Sequence, residues 1–169
     1  MAMKTVKESG MEFGPFDDNF LYEIEHSDLH KSVGEGIKIA EFIFYEDRSE
    51  CFWIIEAKSS SPRPASSEDF SRFIREIEEK LTNALFLLNS ALLERHRRPD
   101  IPTTFVSVGL NMANYKFILV IRGHAKGWLP PLQDAMNRAL SRYVKTWNIS
   151  PMSMLVLNDD MAKSRNMII

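Results

Sequence analysis

The sequence predicts an α/β (α+β) fold in which a mixed sheet of five or six strands carries two long amphipathic helices. Several short runs of β-branched and aromatic residues are separated by polar turns, a pattern typical of strands. Two longer segments repeat apolar residues at every third or fourth position, a pattern typical of helices. The predicted order is β-ββ-α-ββ-α-β, and a helix that connects two strands of one sheet favours a mixed sheet.

Three strands are expected in the first third of the chain. Residues 20–24 form a short apolar run, and residues 37–45 form a longer one that is rich in β-branched and aromatic side chains. The polar segment 46–50 then reverses the chain into the apolar run Cys51–Lys58. The second and third strands are therefore predicted to form a β-hairpin.

A long helix is predicted after the proline-containing loop 59–67. Ser66 or Ser67 can cap its first turn, and Pro99 ends it. Its apolar residues recur at helical spacing over about six turns. They are Phe70, Phe73, Ile74, Ile77, Leu81, Leu85, Leu88 and Leu92.

The second half of the chain is predicted to begin with two strands and a helix. Residues 103–110 and 115–121 are apolar runs joined by a polar turn, which indicates a second hairpin. Pro130 and Pro131 open the second long helix, because proline fits the first turn of a helix.

The two ends of the chain complete the predicted organisation. Residues 154–157 form the last strand, and the polar tail turns helical at Asp160. Residues 1–15 are polar and mixed in charge, and we expect them to form a loose N-terminal arm. The chain, residues 1–169, has the length of a single domain.

The composition excludes several classes of protein. A hydrophobic content of 44% and a charged content of 26% are those of a globular domain rather than of a disordered chain. The single cysteine, Cys51, excludes an internal disulfide and favours a reducing compartment. No stretch reaches the roughly 18 apolar residues of a membrane span, and residues 1–15 lack the apolar run of a signal peptide. We therefore expect a cytoplasmic protein without a membrane segment.

The charges are unevenly distributed along the chain. The net charge is −2, but residues 1–60 contain 6 basic and 13 acidic residues, whereas residues 61–169 contain 15 basic and 10 acidic ones. An acidic segment beside a basic one fits a metal site that faces a groove for a polyanion. It fits equally an ordinary surface whose charges pair after folding. The overall acidity argues against strong nonspecific binding to nucleic acid.

The candidate site is the tripeptide Glu56-Ala57-Lys58 at the end of the third predicted strand. Glu56 follows a large apolar run, where a charge needs a partner or a metal ion to offset the loss of water. Lys58 lies two positions further and therefore on the same face of the strand. If the hairpin turn is centred between Arg48 and Ser49, Glu41 lies opposite Glu56 with Cβ atoms about 5 Å apart.

The pair Glu41 and Glu56 is suited to bind a divalent cation. Two carboxylates this close repel each other, and a proton or a divalent cation would relieve the repulsion. Mg²⁺, or Mn²⁺ in its place, suits a few carboxylates with water completing the shell. Lys58 could then orient or deprotonate a bound water, or stabilise charge on a phosphate. The alternative is a structural Glu56–Lys58 pair at the end of an edge strand, with Lys58 extending into water.

The candidate site resembles that of the PD-(D/E)XK phosphodiesterase superfamily, which has the restriction-endonuclease-like fold. The resemblance covers about residues 20–110 and includes the order hairpin, helix, strand. It implies that Glu41, Glu56 and the backbone carbonyl of Ala57 bind Mg²⁺. It also implies that Glu41, Glu56 and Lys58 form the catalytic set for hydrolysis of DNA or another phosphodiester. The family usually has Asp at the position of Glu41.

Residues outside the hairpin are weaker candidates. Two loops follow strand ends and carry groups able to bind a phosphate, namely Ser59, Ser60, Arg63, Arg122, His124 and Lys126. Trp128 could stack on a base, although both loops are equally compatible with ordinary connections. Glu23 and Glu25 could add a metal ligand if the first strand lies beside the hairpin, or they could be exposed positions of that strand.

Two functions from different classes are expected of such a fold. The first is a Mg²⁺-dependent nuclease-like protein that hydrolyses DNA or another phosphodiester. The second is a non-catalytic binding or interaction module on the same scaffold, which could be a homodimer. The charges on one face of the hairpin favour the first function. The pI of about 6.1 and Glu41 in place of Asp favour the second.

Overall fold

The computed structural model describes residues 1–97 and 100–169, and its centre is one mixed sheet of five strands. A separate two-stranded hairpin precedes the sheet. The strands are β1 (Met3–Glu8) and β2 (Met11–Asp17) in the hairpin, and β3 (Leu21–Tyr22), β4 (Phe42–Glu46), β5 (Cys51–Lys58), β6 (Asn114–Ile121) and β7 (Met154–Asn158) in the sheet. Strands β3, β4 and β5 are antiparallel neighbours, whereas β6 runs parallel to β5 and β7 parallel to β6. The predicted mixed sheet with two long helices is confirmed.

Two of the helices connect the parallel strands. The α-helices of the described ranges are α1 (Asp28–Val33), α2 (Ser67–Leu92), α3 (Thr103–Val106), α4 (Leu129–Thr146) and α5 (Asp159–Ser164). Helix α2 connects β5 to β6 and α4 connects β6 to β7, as parallel strands require. Both long helices and the helical tail are present as predicted, but the first long helix ends at Leu92 and not at Pro99. Arg98 and Pro99, where the sequence predicted the end of the first long helix, lie outside the described residues. Within the described ranges, no helix has both the length and the apolar composition needed to cross a membrane.

The sheet is buried on both faces. Helices α2 and α4 pack on one face, and the hairpin β1–β2 packs on the other together with α5 and the C-terminal residues. Side chains alternate along β5, so that Ile54 and Glu56 face the helices whereas Ile55 and Ala57 face the hairpin. Burial on both faces explains why the sequence of β5 is an almost continuous apolar run.

The first 15 residues are not a loose arm, and this prediction is wrong. They form β1 and most of β2, and the side chains of Val6 and Phe13 are buried. The Phe13 ring packs edge-on against Phe42 of the sheet, with ring centroids 5.2 Å apart. The physical reason is that α2 and α4 cover only one face of the sheet. The apolar second face needs the alternating side chains of this hairpin as its cover.

Residues 103–110 do not form a strand, so the predicted second hairpin is wrong. They begin with the short helix α3, and Phe105 of this helix is fully buried. Its ring centroid lies 5.2 Å from that of Phe52 in β5. Because β6 already pairs with β5 on one side and β7 on the other, no edge of β6 is left for another strand.

Two predicted strands are shorter than expected. Of residues 20–24, only the two residues of β3 are extended and paired with β4. Of residues 37–45, the strand begins only at Phe42. The reason is a competing partner, because the Ala40 N–H donates to the backbone carbonyl of Lys80 in α2 at 3.2 Å. The chain therefore joins the sheet only at Phe42, opposite Ile55, and the last three residues of β5 have no partner in β4.

Candidate functional site

The hairpin β4–β5 brings Glu41 and Glu56 together on the sheet face that α2 covers. Phe42 pairs with Ile55, which is the predicted register, and the Glu41 N–H donates to the Ile55 carbonyl at 3.1 Å. Glu41 therefore lies directly before β4 and beside Glu56. Both carboxylates contact one ammonium group, since Lys80 Nζ lies 2.9 Å from Glu56 Oε1 and 3.8 Å from Glu41 Oε1.

Lys80 is a member of the site that the sequence prediction missed. It belongs to α2, and its side chain is only 13% exposed. One signal was present, because Lys80 stands at helical spacing from Ala84 and Leu87, which are both buried. A lysine on the buried face of a helix needs an anionic partner. The sequence does not state which strand meets that face, so the partners Glu41 and Glu56 could not be found.

Lys58 also lies against Glu56 rather than extending into water. Its side chain is 24% exposed, and its Nζ lies 3.3 Å from Glu56 Oε1 and 3.1 Å from Glu76 Oε1. Glu76 belongs to α2, and the hydrogen bond from Lys58 is the main cause of its lowered pKa. Strand β5 is an inner strand between β4 and β6. This contradicts the alternative in which Lys58 ends an edge strand.

Glu56 is the most enclosed charged group of the cluster. Its side chain is 0% exposed. Burial raises its pKa, and the two ammonium groups of Lys80 and Lys58 oppose this effect. Both ammonium groups contact Oε1, whereas Oε2 is buried without a hydrogen-bond partner among the described residues. A buried acceptor without a donor costs about 1–3 kcal/mol, so this oxygen is a position at which a further ligand would gain stability.

Glu41 shares a proton with Glu25, one of the weaker candidates. Burial, the hydrogen bond to Glu25 and the charge of Glu56 raise the pKa of Glu41 to about 9. The same hydrogen bond lowers the pKa of Glu25. The opposite directions of the two shifts favour a protonated Glu41 that donates to the Glu25 carboxylate. The other weak candidate, Glu23, instead forms an ion pair with Lys4 of β1.

The turn of the N-terminal hairpin lies against the same site. Ser9 Oγ donates to the Ala57 carbonyl at 3.0 Å, an acceptor that β4 does not reach. Glu8 Oε1 lies 3.7 Å from His26 Nε2, which in turn lies 3.9 Å from Glu25 Oε2. The acidic cluster thus extends from buried Glu56 to the exposed His26. The sequence prediction missed Glu8 and Ser9 as neighbours of the site because it treated the first 15 residues as a loose arm.

The cluster offers oxygen atoms of the kind that a hard divalent cation binds, although the described residues whose ligand atoms all lie within 4.8 Å of one another are Glu8, Glu25 and His26. Carboxyl groups outnumber ammonium groups in the set Glu25, Glu41, Glu56, Glu76, Lys58 and Lys80. Glu56 Oε2 offers a buried oxygen that no described donor uses. The Ala57 carbonyl keeps a second lone pair besides the bond from Ser9. Carboxylate and carbonyl oxygens are the ligands that Mg²⁺ and Mn²⁺ prefer. A cation at Oε1 would have to displace Lys80.

The two candidate phosphate-binding loops begin side by side, where the parallel strands β5 and β6 end. Strands β5 and β6 are parallel, and the Arg122 N–H donates to the Lys58 carbonyl at 2.9 Å. The candidate residues with exposed side chains in these loops are Ser59, Ser60, Arg63, Arg122 and Lys126. His124 is buried, and burial lowers its pKa. The structure therefore brings the two loops beside the end of the Glu56-Ala57-Lys58 strand.

Comparison with known proteins adds no relative from which a function could be transferred. No family model, no curated protein and no solved structure matches this chain. The chemistry of the carboxylate and lysine cluster is therefore the basis for a functional assignment.

Proposed function

We propose that this protein is a metal-dependent phosphodiesterase of the nuclease type, acting on DNA or another phosphodiester in the cytoplasm. The observation that carries the proposal is the fully buried Glu56, whose Oε2 has no hydrogen-bond partner among the described residues. It lies beside Glu41 and Lys58 at the end of an inner strand. The resemblance of these residues to the PD-(D/E)XK pattern supports the same chemistry.

The residues that would hold Mg²⁺ or Mn²⁺ are Glu41, Glu56 and the Ala57 carbonyl. When bound, the ion would supply Lewis-acid stabilisation of the charge that develops on the phosphate. Lys58 is held in place by Glu76 and Glu56, and its remaining N–H can donate to a water molecule or to a phosphate oxygen. Glu41 would release the proton that it shares with Glu25 when it binds the ion, because a metal ligand must be deprotonated.

Metal binding can be tested by thermal unfolding of the wild type and of Glu56→Gln with increasing Mn²⁺ or Mg²⁺. We expect the melting temperature of the wild type to rise by a few degrees, because a ligand that binds only the folded state stabilises it. Glu56→Gln keeps the shape of the side chain but removes the charge, and it should show no rise. Glu68→Gln is the matched control, because Glu68 is an exposed glutamate of α2. Equal responses of all three proteins would reject the metal site.

Hydrolysis can be tested on labelled single-stranded DNA, duplex DNA and RNA with Mn²⁺ present. We expect the wild type to cleave at least one of these substrates and Lys58→Met to lose cleavage by about a hundredfold or more. Lys58→Met should keep the metal-dependent rise in melting temperature, since Lys58 is not a metal ligand in this proposal. Cleavage by Glu56→Gln at the wild-type rate would show that another protein in the sample is responsible.

A second candidate function is a non-catalytic interaction module, and the position of Lys80 favours it. Its ammonium group contacts both Glu41 and Glu56 and so supplies positive charge where a metal ion would otherwise do so. In this case neither Mg²⁺ nor Mn²⁺ would change the melting temperature of the wild type. The homodimer that the sequence suggested for such a module stays a prediction, and sedimentation velocity would measure it.

A further inference from the structure

Arg63 is stacked on an exposed tryptophan at the edge of the sheet where β5 and β6 end. Its guanidinium carbon lies over the Trp128 ring, 3.6 Å from the ring centre. Trp128 is 41% exposed, and the His124 ring meets it edge-on at 5.4 Å between centroids. These side chains and Pro62 line a cavity of about 100 Å³ between the two loops. The guanidinium plane is therefore held by an aromatic ring in a partly enclosed position.

The charge of Arg63 is not neutralised by the protein. Among residues 1–97 and 100–169, Arg63 forms no ion pair. Arg142 provides the contrast, because it lies over Tyr143 at 4.7 Å but also pairs with Glu78 at 3.3 Å. Stacking occupies one face of a guanidinium group and leaves its in-plane N–H donors free. These donors match the geometry of a phosphate oxygen pair.

Two more cations lie in the adjoining loop. Arg122 and Lys126 have exposed side chains, and neither forms an ion pair within the described ranges. The Arg122 guanidinium lies against Gly10 in the turn of the N-terminal hairpin, so Lys126 is the cation of this loop that is available beside Arg63. The Arg122 N–H is bonded to the Lys58 carbonyl, so this loop begins at the end of the Glu56-Ala57-Lys58 strand. Arg63 follows Lys58 by five residues, which span at most about 17 Å when extended. Along the axis of a duplex, where phosphates of one strand rise by about 3.4 Å each, this upper limit corresponds to at most about five phosphates.

We propose that Arg63, held on Trp128, binds a phosphate anion of the substrate, with Lys126 as a supporting cation. The subsite would anchor the phosphodiester backbone a few phosphates away from the bond at Glu56. That the anion belongs to the substrate rests on the proposed function. The existence of an anion site at Arg63 does not depend on it, because none of its residues belongs to the carboxylate cluster.

The test is binding of fluorescently labelled single-stranded DNA, duplex DNA and RNA, measured by anisotropy in EDTA. We expect Arg63→Gln to weaken binding of the preferred oligonucleotide roughly tenfold. The slope of log affinity against log salt concentration should fall by about one, because one phosphate contact is lost. Trp128→Leu should weaken binding less strongly, since it removes the support but keeps the charge. Arg142→Gln is the matched control, a stacked arginine on another surface, and it should bind like the wild type.

A competition experiment with inorganic phosphate and unlabelled oligonucleotides identifies the source of the anion. If inorganic phosphate displaces the oligonucleotide from the wild type but not from Arg63→Gln, the site binds single phosphate groups. If only oligonucleotides compete, it binds the backbone of a strand. Either result supports an anion site at Arg63.

Equal affinity of the wild type and Arg63→Gln, or no binding by the wild type, would overturn the inference. The two proposals fail independently, because the binding assay in EDTA needs neither a metal ion nor cleavage. Cleavage by the wild type without an effect of Arg63→Gln on affinity would remove only the subsite. Binding that depends on Arg63 without any cleavage would remove only the proposed function.

Discussion

Lys80 Nζ lies 2.9 Å from Glu56 Oε1, and this contact joins the first long helix to the inner strand β5. The carboxylate is completely buried and the ammonium group nearly so. Burial alone would lower the pKa of Lys80, but the charges of Glu56, Glu41 and Glu25 outweigh burial and raise it. Lys80 therefore stays charged, and it is the nearest counter-ion of Glu56.

Replacing Lys80 by methionine should destabilise the protein by about 3 kcal/mol at pH 7, because it leaves a buried carboxylate with less positive charge around it. Urea unfolding measures the change. Glu56→Gln in addition to Lys80→Met should recover part of the loss, since both buried charges are then absent. Lys38→Met is the control, because Lys38 is exposed and lies 4.0 Å from Glu79. A double variant no more stable than Lys80→Met alone would argue against this coupling.

The stability of the protein should fall as the pH rises from 7 to 9 because of Glu41. Its folded-state pKa of about 9 is above the value of 4.5 for an unperturbed glutamate, so the folded state holds this proton more tightly than the unfolded state. The contribution is complete below pH 4.5 and is lost as the pH rises through 9. The slope from one such group is at most about 1.4 kcal/mol per pH unit.

Urea unfolding midpoints at pH 6, 7, 8 and 9 would measure this effect. Glu41→Gln should reduce the slope, because its amide can donate to Glu25 at every pH but cannot titrate. Glu12→Gln serves as the control, since Glu12 is a partly exposed glutamate of the N-terminal hairpin. Parallel curves for the wild type and Glu41→Gln would show that Glu41 is not the titrating group.

Phe13→Ala should destabilise the protein by about 3–5 kcal/mol, because it removes a fully buried ring from the cover of the sheet. The matched control is Phe86→Ala, since the Phe86 ring is 43% exposed, and its loss should be clearly smaller. Thermal or urea unfolding measures both variants. A loss below about 1 kcal/mol for Phe13→Ala would restore the interpretation of a loose N-terminal arm.

Ser9→Ala should destabilise the protein by about 1 kcal/mol, because it removes the hydrogen bond to the Ala57 carbonyl. Ser164→Ala is the control, because the Ser164 hydroxyl bonds only within its own helix end. If Ala57 is a metal ligand, Ser9→Ala should keep the rise in melting temperature with Mn²⁺. Loss of that rise would instead indicate that the hairpin turn is needed to form the site.

The hairpin β4–β5 and the two long helices were predictable because their signals are local. The apolar runs, the polar turn and the helical spacing each depend on a few neighbouring residues. The same local reasoning failed at residues 103–110, where an apolar run is explained by the burial of Phe105 in a short helix. An apolar run indicates that a segment is buried. Whether it forms a strand depends on whether another strand has a free edge with which it can pair.

The part of the candidate site that lies within the hairpin β4–β5 was predictable, whereas its contacts with other elements were not. Glu41 and Glu56 face each other through the hairpin register, which turn chemistry and alternation determine. Lys80 and Glu76 reach them from a helix some twenty residues further along the chain, and Ser9 reaches Ala57 from almost fifty residues before it. Such contacts depend on which helix face and which hairpin cover the sheet.

The sequence alone was sufficient to predict the mixed sheet and its two long helices. It also showed that one strand ends in the tripeptide Glu56-Ala57-Lys58. Periodicity and turn residues determine these features within short segments of chain. The tertiary structure alone decided that Lys80 is the partner of Glu56, that Glu41 shares its proton with Glu25 and that the N-terminal hairpin closes the second face. The physical reason is that desolvation and pairing energies depend on distances between side chains that are remote in sequence.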